Sequence, residues 1–302
     1  MYCHSSFSLS GLFMLLLTAV MPVWYFQTPL PSDPGDNALG EPLFLYPVEK
    51  NTNYNGCIAQ STPVLNAVFE QEVVEMVNAE REAEGLPPLK RTPQLDEAAR
   101  YHAADMKQDN YFDHNSYDRV NNELQLACNW ATRVGNYYSG SSTLGENIAF
   151  GYSSPEAVVE GWMNSSGHRA NILSSNYQEI GVGYGAGNIW VQDFGTRPGV
   201  HPVIINEDAG IADSRDVKLY VYGTWKDIRI RNDSDPWSAW MPFQNTLAWQ
   251  LPDEPGPHTV IVEMRAGTNT ESSSDEIILK VLQIIDPLLP KLYIPFLVNP
   301  RQ

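Results

Sequence analysis

The chain has 302 residues, 43% of them hydrophobic and 18% charged, the make-up of a globular protein with room for two cores. Its formal net charge is -17 at pH 7, with acids spread along the whole length. That excludes nucleic acid and an anionic membrane surface as principal partners, because both require a basic footprint.

An apolar run from Leu9 to Phe26, broken at Pro22, reads as a secretory signal peptide over residues 1–26, with an uncleaved anchor as the alternative. Residues 27–63 are rich in Pro, Asn, Asp and Gly without a sustained period, as in a linker or wrapping arm. Cys3 leaves with a signal peptide. Cys57 and Cys128 remain, and in an exported chain they either form a disulfide or stay as two buried thiols.

A first helix is expected from near Val64, with Phe69, Val73, Met76 and Val77 at helical spacing, stopping at Gly85 before Pro87 and Pro88. Thr92 is the expected cap of a second helix with Pro93 in its first turn. Its apolar face is Leu95, Ala98, Ala99, His102 and Met106. Asn115 to Ser142 reads as a long polar loop. A third helix starts at Ser153 or Ser154, where Ser153 and Glu156 have capping-box spacing, and a short helix accompanies His168. Ile180–Tyr184 and Ile189–Phe194 flank Gly185-Ala186-Gly187-Asn188 as a hairpin.

After Gly199 the helical period disappears. Val217–Tyr222, Ile228–Arg231, Thr246–Leu251, Thr259–Met264 and Ile277–Leu282 read as short strands of a small all-β sandwich. Trp225, Trp237, Trp240 and Trp249 fill its core or form a carbohydrate platform, and core is the commoner use. The tail from Ile284 to Val298 is cut by three prolines and is a poor membrane span. The expected division is residues 64–199, 200–286 and a tail of 287–302. The expected class is α+β, helices on a small sheet followed by a sandwich.

Three segments each supply one ionisable group. These are Phe112-Asp113-His114, Leu144-Gly145-Glu146-Asn147 and Ser165-Ser166-Gly167-His168-Arg169. Two imidazoles and a carboxylate suit a shallow metal or proton-transfer site, so His114, Glu146 and His168 are candidate ligands of zinc or another divalent cation. Glu146 is also the candidate catalytic base. A helix start favours neutral His168. Glu179, at the head of a strand, is a fourth candidate. His102 reads as a packed core residue, and His201 and His258 are given no role. The chain lacks His-Glu-x-x-His, a Gly-x-Ser-x-Gly elbow and a phosphate-cradling loop.

These residues carry a resemblance to the CAP superfamily (SCP/PR-1-like; cysteine-rich secretory protein, antigen 5, pathogenesis-related 1), in its compact bacterial branch. It covers Ala67 to Gly195. It rests on Val77-Asn78-Ala79-Glu80-Arg81 with Gly85-Leu86-Pro87-Pro88-Leu89, on the three segments above with Arg169-Ala170-Asn171-Ile172-Leu173, and on Ile180-Gly181-Val182-Gly183 with Trp190-Val191-Gln192-Asp193-Phe194. The resemblance implies an α-β-α sandwich, an extracellular setting, and a cleft of two histidines and two acids that binds divalent cations in some members. His114, Glu146 and His168 match three of those positions; Asn164-Ser165 stand where the second acid is expected. The later strands resemble Ig-like or fibronectin-like modules.

The resemblance implies a secreted module that binds an extracellular ligand or partner, whether lipid, peptide or cell-envelope component. The alternatives are a zinc-dependent, peptidase-like hydrolase and a lipid or sterol carrier.

Overall fold

The computed structural model describes residues 53–280. The signal-peptide segment, Cys3, most of the arm and the C-terminal tail lie outside the described residues. Among those described, no helix is long and apolar enough to cross a membrane.

Helix α1 (Ala67–Ala83) starts where the Asn66 side chain accepts from the Phe69 amide at 3.2 Å. It buries Val73, Val74 and Val77 and ends at Gly85, whose φ of +70° suits glycine. Strand β1 (Lys90–Arg91) leads into α2 (Pro93–Asp109). Thr92 stands at the cap position with Pro93 next, but its hydroxyl makes no capping bond, contrary to the sequence expectation.

The segment read as a polar loop is instead ordered. It holds a hairpin of β2 (Ser116–Val120) and β3 (Glu123–Cys128), then α3 (Trp130–Tyr137). Asn121 and Asn122, at φ 53° and 68°, make the tight turn that period-2 strands require. Asn129 caps α3 by accepting from Thr132 N at 2.9 Å. Solvent on much of the hairpin hides its alternation, and an eight-residue helix shows too few turns to display a period. Cys57 and Cys128 form a disulfide, with Cα atoms 6.1 Å apart, which pins the end of the arm to β3.

Strand β4 (Thr143–Phe150) is followed by α4 (Pro155–Met163) and α5 (Ser166–Ile172). The cap of α4 is Ser154, whose side chain accepts from Ala157 N, so the Ser153–Glu156 capping box is not formed. Strands β5 (Glu179–Gly185) and β6 (Ile189–Thr196) complete a sheet of order β1-β5-β6-β4, with β1 parallel to β5 and the rest antiparallel.

Residue parity divides this sheet. Ile180, Val182, Trp190 and Phe194 face α1 and α4, where Val73, Val77, Val158 and Trp162 meet them in one core. The opposite parity brings Ile148 and Val191 onto α2, with Leu95, Ala98, Val134 and Tyr138 forming a further cluster where α2 meets α3. The result is the α-β-α sandwich expected, and β4 is its edge strand.

The second region begins with β7 (Val203–Ile205), a turn at Asn206–Asp208 and β8 (Ile211–Ala212). There follow β9 (Asp216–Val221), β10 (Asp227–Asn232), β11 (Met241–Pro242), β12 (Thr246–Gln250), β13 (Gly256–Ala266) and β14 (Asn269–Leu279). A β12-β9-β7 sheet and a β11-β10-β13-β14-β8 sheet enclose one core of Val203, Leu219, Val221, Ile230, Val262 and neighbours. Trp225 and Trp249 pack against it, as expected of core aromatics. Trp237 and Trp240 do not. The arginines of the outer sheet face stack on them, Arg229 at 4.8 Å from both rings, Arg231 at 4.7 Å and Arg265 at 4.0 Å.

The two regions join through buried polar contacts. Lys90 Nζ donates to Asp208 at 2.6 Å and also pairs with Asp275, while Tyr222 Oη donates to the Pro88 carbonyl at 2.8 Å.

Candidate functional site

The site sits at the β4 edge of the first sheet, where its two faces meet. Glu146 on β4 pairs in register with Asp193 on β6, so both carboxyls share the α2/α3 face. Glu146 is almost fully buried. It accepts from His114 Nδ1 at 2.8 Å and from the fully buried guanidinium of Arg133. Arg133 also donates to the His114 carbonyl at 2.9 Å and to Ser116 Oγ at 3.1 Å, so one α3 side chain orders both the acid and the loop carrying the histidine. His102, the packed core residue the helical face suggested, donates from Nε2 to the Asp113 carbonyl at 2.9 Å and holds the same loop from α2.

His168 arrives from the other face. It lies in the first turn of α5, and its carbonyl accepts from Asn147 Nδ2 at 3.2 Å. Asn171, one turn on, donates to the Glu146 carbonyl at 3.1 Å and to Asn147 Oδ1 at 2.9 Å. The Gly167-His168-Arg169-Ala170-Asn171 segment is therefore laced to β4 through its amides.

Burial opposes charge on Glu146, but Arg133, His102 and the hydrogen bond from His114 together hold its carboxyl below the usual range. Its neighbour Asp193 goes the other way. Burial, then the Glu146 charge, push it well above an ordinary carboxyl, and neither oxygen has a donor among the described residues. Asp193 thus holds its proton more tightly than Glu146 does. The bond to Glu146 raises His114, whereas burial and then the His114 charge lower His168.

The signs differ in consequence. The His114 contribution to stability is complete below about 6.5 and is lost as pH rises through its raised value. That of His168 is present above about 6.5 and is lost as pH falls through its lowered value. In a side-chain NMR titration His114 is expected to titrate above 6.5 and His168 below it; the reverse order contradicts this electrostatic account.

Glu179 is not part of this group. It is buried one step along the sheet, paired in register with Gly195, and accepts from Tyr138 Oη and from Arg197 Nη2 at 2.5 Å. The second acid beside Glu146 is Asp193, which sequence reading passed over inside Trp190-Val191-Gln192-Asp193-Phe194. The available signal was its parity with buried Val191.

A catalytic zinc takes three protein ligands at about 2.0–2.2 Å. Among the described residues, three carboxylate or imidazole atoms approach one another within 4.8 Å only at Asp105 and Asp109 on α2 with Asp118 on β2. His114, Glu146 and His168 do not converge in that way, and both Glu146 oxygens are already engaged.

Beside His114, Phe112 and Phe150 stand 51% and 63% exposed with ring centroids 6.3 Å apart. Adjacent exposed aromatics of this kind are candidates for a contact surface.

Residues 74–194 match the cysteine-rich secretory protein family, CAP. The segment is a CAP domain. The CAP domain is similar to the uncharacterized protein YkwD of Bacillus subtilis (strain 168), 43% identical over 135 residues, which is 44% of this chain and 49% of that protein. It is also similar to the uncharacterized membrane protein YlbC of the same organism, 35% identical over 121 residues, 39% of this chain and 32% of that protein. The chain thus spans half or less of the length of these curated relatives. Among solved structures, an extracellular SCP-domain protein from Bacillus anthracis is 31% identical over 42% of this chain and 40% of its own, with a TM-score of 0.38. A cysteine-rich secretory protein from Staphylococcus aureus is 20% identical over 44% and 40%, with a TM-score of 0.35.

Proposed function

We propose that this chain is an extracellular binding protein whose CAP cleft recognises a ligand without transforming it. The observation that carries this reading is the burial of Glu146. Its side chain is 1% exposed and its two oxygens are held by Arg133 and His114, which lowers its basicity and keeps it from water and substrate. It orients His114 instead, and leaves Nε2 of that half-exposed imidazole to accept while the ring is neutral and to donate once it is protonated. Neutral His168 supplies an acceptor, and Phe112 with Phe150 supply an apolar contact. The Cys57–Cys128 disulfide supports an oxidising, extracytoplasmic setting.

The test separates binding from hydrolysis. Purified chain, with and without added zinc, is expected to leave a fluorogenic peptide library intact, and to co-sediment with isolated bacterial cell envelopes. Combined His114→Ala and His168→Ala replacement is expected to lower co-sedimentation by about tenfold, the size of a lost central contact. Zinc-dependent turnover abolished by His168→Ala would establish the hydrolase instead. Envelope binding indifferent to both histidines would move the ligand site elsewhere.

A further inference from the structure

The junction between the CAP domain and the β sandwich forms an open cavity of about 350 Å³. One wall is the end of α1 and the turn after it, with Glu82, Leu86 and Pro87. The other is β-sandwich surface, with Lys218, Tyr220 and Thr246. Cavities of this size between structural units are where small ligands are commonly held.

The backbone at its floor is unusual. Asn206, Glu207 and Asp208 have φ of 46°, 57° and 67°, three successive non-glycine residues in the left-handed region. Such a conformation is disfavoured for a residue with a Cβ, least so for Asn and Asp, and a run of three persists only when its surroundings over-determine it. Both regions hold this turn. Asn206 Oδ1 accepts from Lys218 N at 2.8 Å, the Glu207 carbonyl accepts from Asn78 Nδ2 at 2.8 Å, and the Asp208 carbonyl accepts from Gln71 Nε2 at 2.7 Å. The strained geometry places Glu207 on the cavity wall, where it pairs with Lys218.

The lining chemistry selects a ligand class. Glu82 and Glu207 share the one Lys218 ammonium, which leaves the wall a single net negative charge and disfavours an anionic ligand. Leu86, Pro87 and the Tyr220 ring give an apolar face. Asn245 spends its amide nitrogen on the Val221 and Gly223 carbonyls, which leaves its oxygen as an acceptor, and the exposed Thr246 adds a hydroxyl. Donors and acceptors of low net charge around an aromatic ring match a molecule with many hydroxyls and an apolar face. We propose that this junction cavity is a binding site for a neutral saccharide unit, separate from the histidine cleft.

The experiment is titration of the whole chain with maltose, cellobiose and N,N′-diacetylchitobiose, read by saturation-transfer NMR and calorimetry. At least one is expected to bind with a dissociation constant of about millimolar or tighter. Tyr220→Ala is expected to weaken binding about tenfold or more, and Tyr220→Phe about threefold or less, because the ring supplies most of the contact. Thr246→Trp, at an exposed strand position, fills the cavity and is expected to abolish binding while a thermal melt reports intact folding. His114→Ala is expected to leave saccharide binding unchanged, which separates this site from the cleft. Absence of binding by all three sugars overturns the proposal, as does binding that survives both Tyr220→Ala and Thr246→Trp. Tighter binding of glucuronic acid than of the neutral sugars overturns the assignment of ligand class.

Discussion

Replacing Arg133 with methionine is expected to destabilise the fold by about 3–5 kcal/mol at pH 7, the loss typical when one partner of a buried ion pair is removed. The guanidinium is fully buried, and so is the carboxylate it meets. Without it, Glu146 keeps only the hydrogen bond from His114, and burial is no longer opposed by a permanent charge. The pH dependence changes sign as a result. In the native chain the lowered carboxyl of Glu146 contributes stability that is present above the ordinary glutamate value and is lost as pH falls through its lowered one. In Arg133→Met that carboxyl is raised, so the variant loses stability as pH climbs above about 4.5.

Urea unfolding at pH 7 and pH 5 checks this, with the deficit expected to be larger at pH 7. Adding Glu146→Gln to Arg133→Met is expected to recover part of the loss, since the buried charge is then gone. A deficit that is the same at both pH values, or no recovery in the double variant, contradicts the ion-pair account. The double variant also guards against a single variant too unstable to purify.

How much of this was legible in the sequence depends on what each residue answers to. Helices α1, α2 and α4 and the β5–β6 hairpin follow from local periodicity and turn chemistry, and the structure has them within a few residues of expectation. The three chemical residues were legible as types in suggestive settings, and His114 and Glu146 do meet. Their controller was not. Arg133 belongs to a stretch that looks like loop, because a short helix and a solvated hairpin carry little apolar pattern; only Asn129 as a cap pointed to order there. Charges buried by distant elements leave no periodic trace. Asp193 and Glu179 show the same limit from opposite sides. Parity along a strand tells which face an acid takes, but not whether an arginine waits there, as Arg197 does for Glu179. The motif around Asn78 and Arg81 was legible as a family signature without its cause. In the structure Arg81 is buried and donates to the Pro87, Ile172 and Ser174 carbonyls at 2.8 Å, tying α1 to the end of α5.

The alternating glycines of Ile180-Gly181-Val182-Gly183-Tyr184-Gly185 carry the other large expected effect. Gly181, Gly183 and Gly185 face α2, and their lack of side chains lets that helix lie directly on β5. A Cβ on Gly181 would fall far inside contact distance of the Leu95 and Asp96 backbone, and one on Gly183 would meet the backbone of Ala99 and Arg100 in the same way. Neither obstacle is the end of a flexible side chain, so relief requires the helix itself to lift. Lifting α2 loosens the Asp96 carboxylate from Val182 N, a bond of 2.9 Å. It also weakens the packing of Ala99, Ala103 and Met106 on Ile148 and Val191. Overpacking in a rigid core usually costs about 1–3 kcal/mol, and a clash with helix backbone that cannot swing aside belongs above that range. Gly183→Ala is therefore expected to destabilise the chain by about 4 kcal/mol or more in urea unfolding. Because His102 and the loop bearing His114 hang from the same helix, the chemical shifts of His114 are expected to move as well. Gly167→Ala is the control. That glycine has open space around its Cβ position, so the replacement is expected to change stability by less than about 1 kcal/mol. Equal effects at the two positions would mean that close approach of α2 to β5 does not hold the site in place.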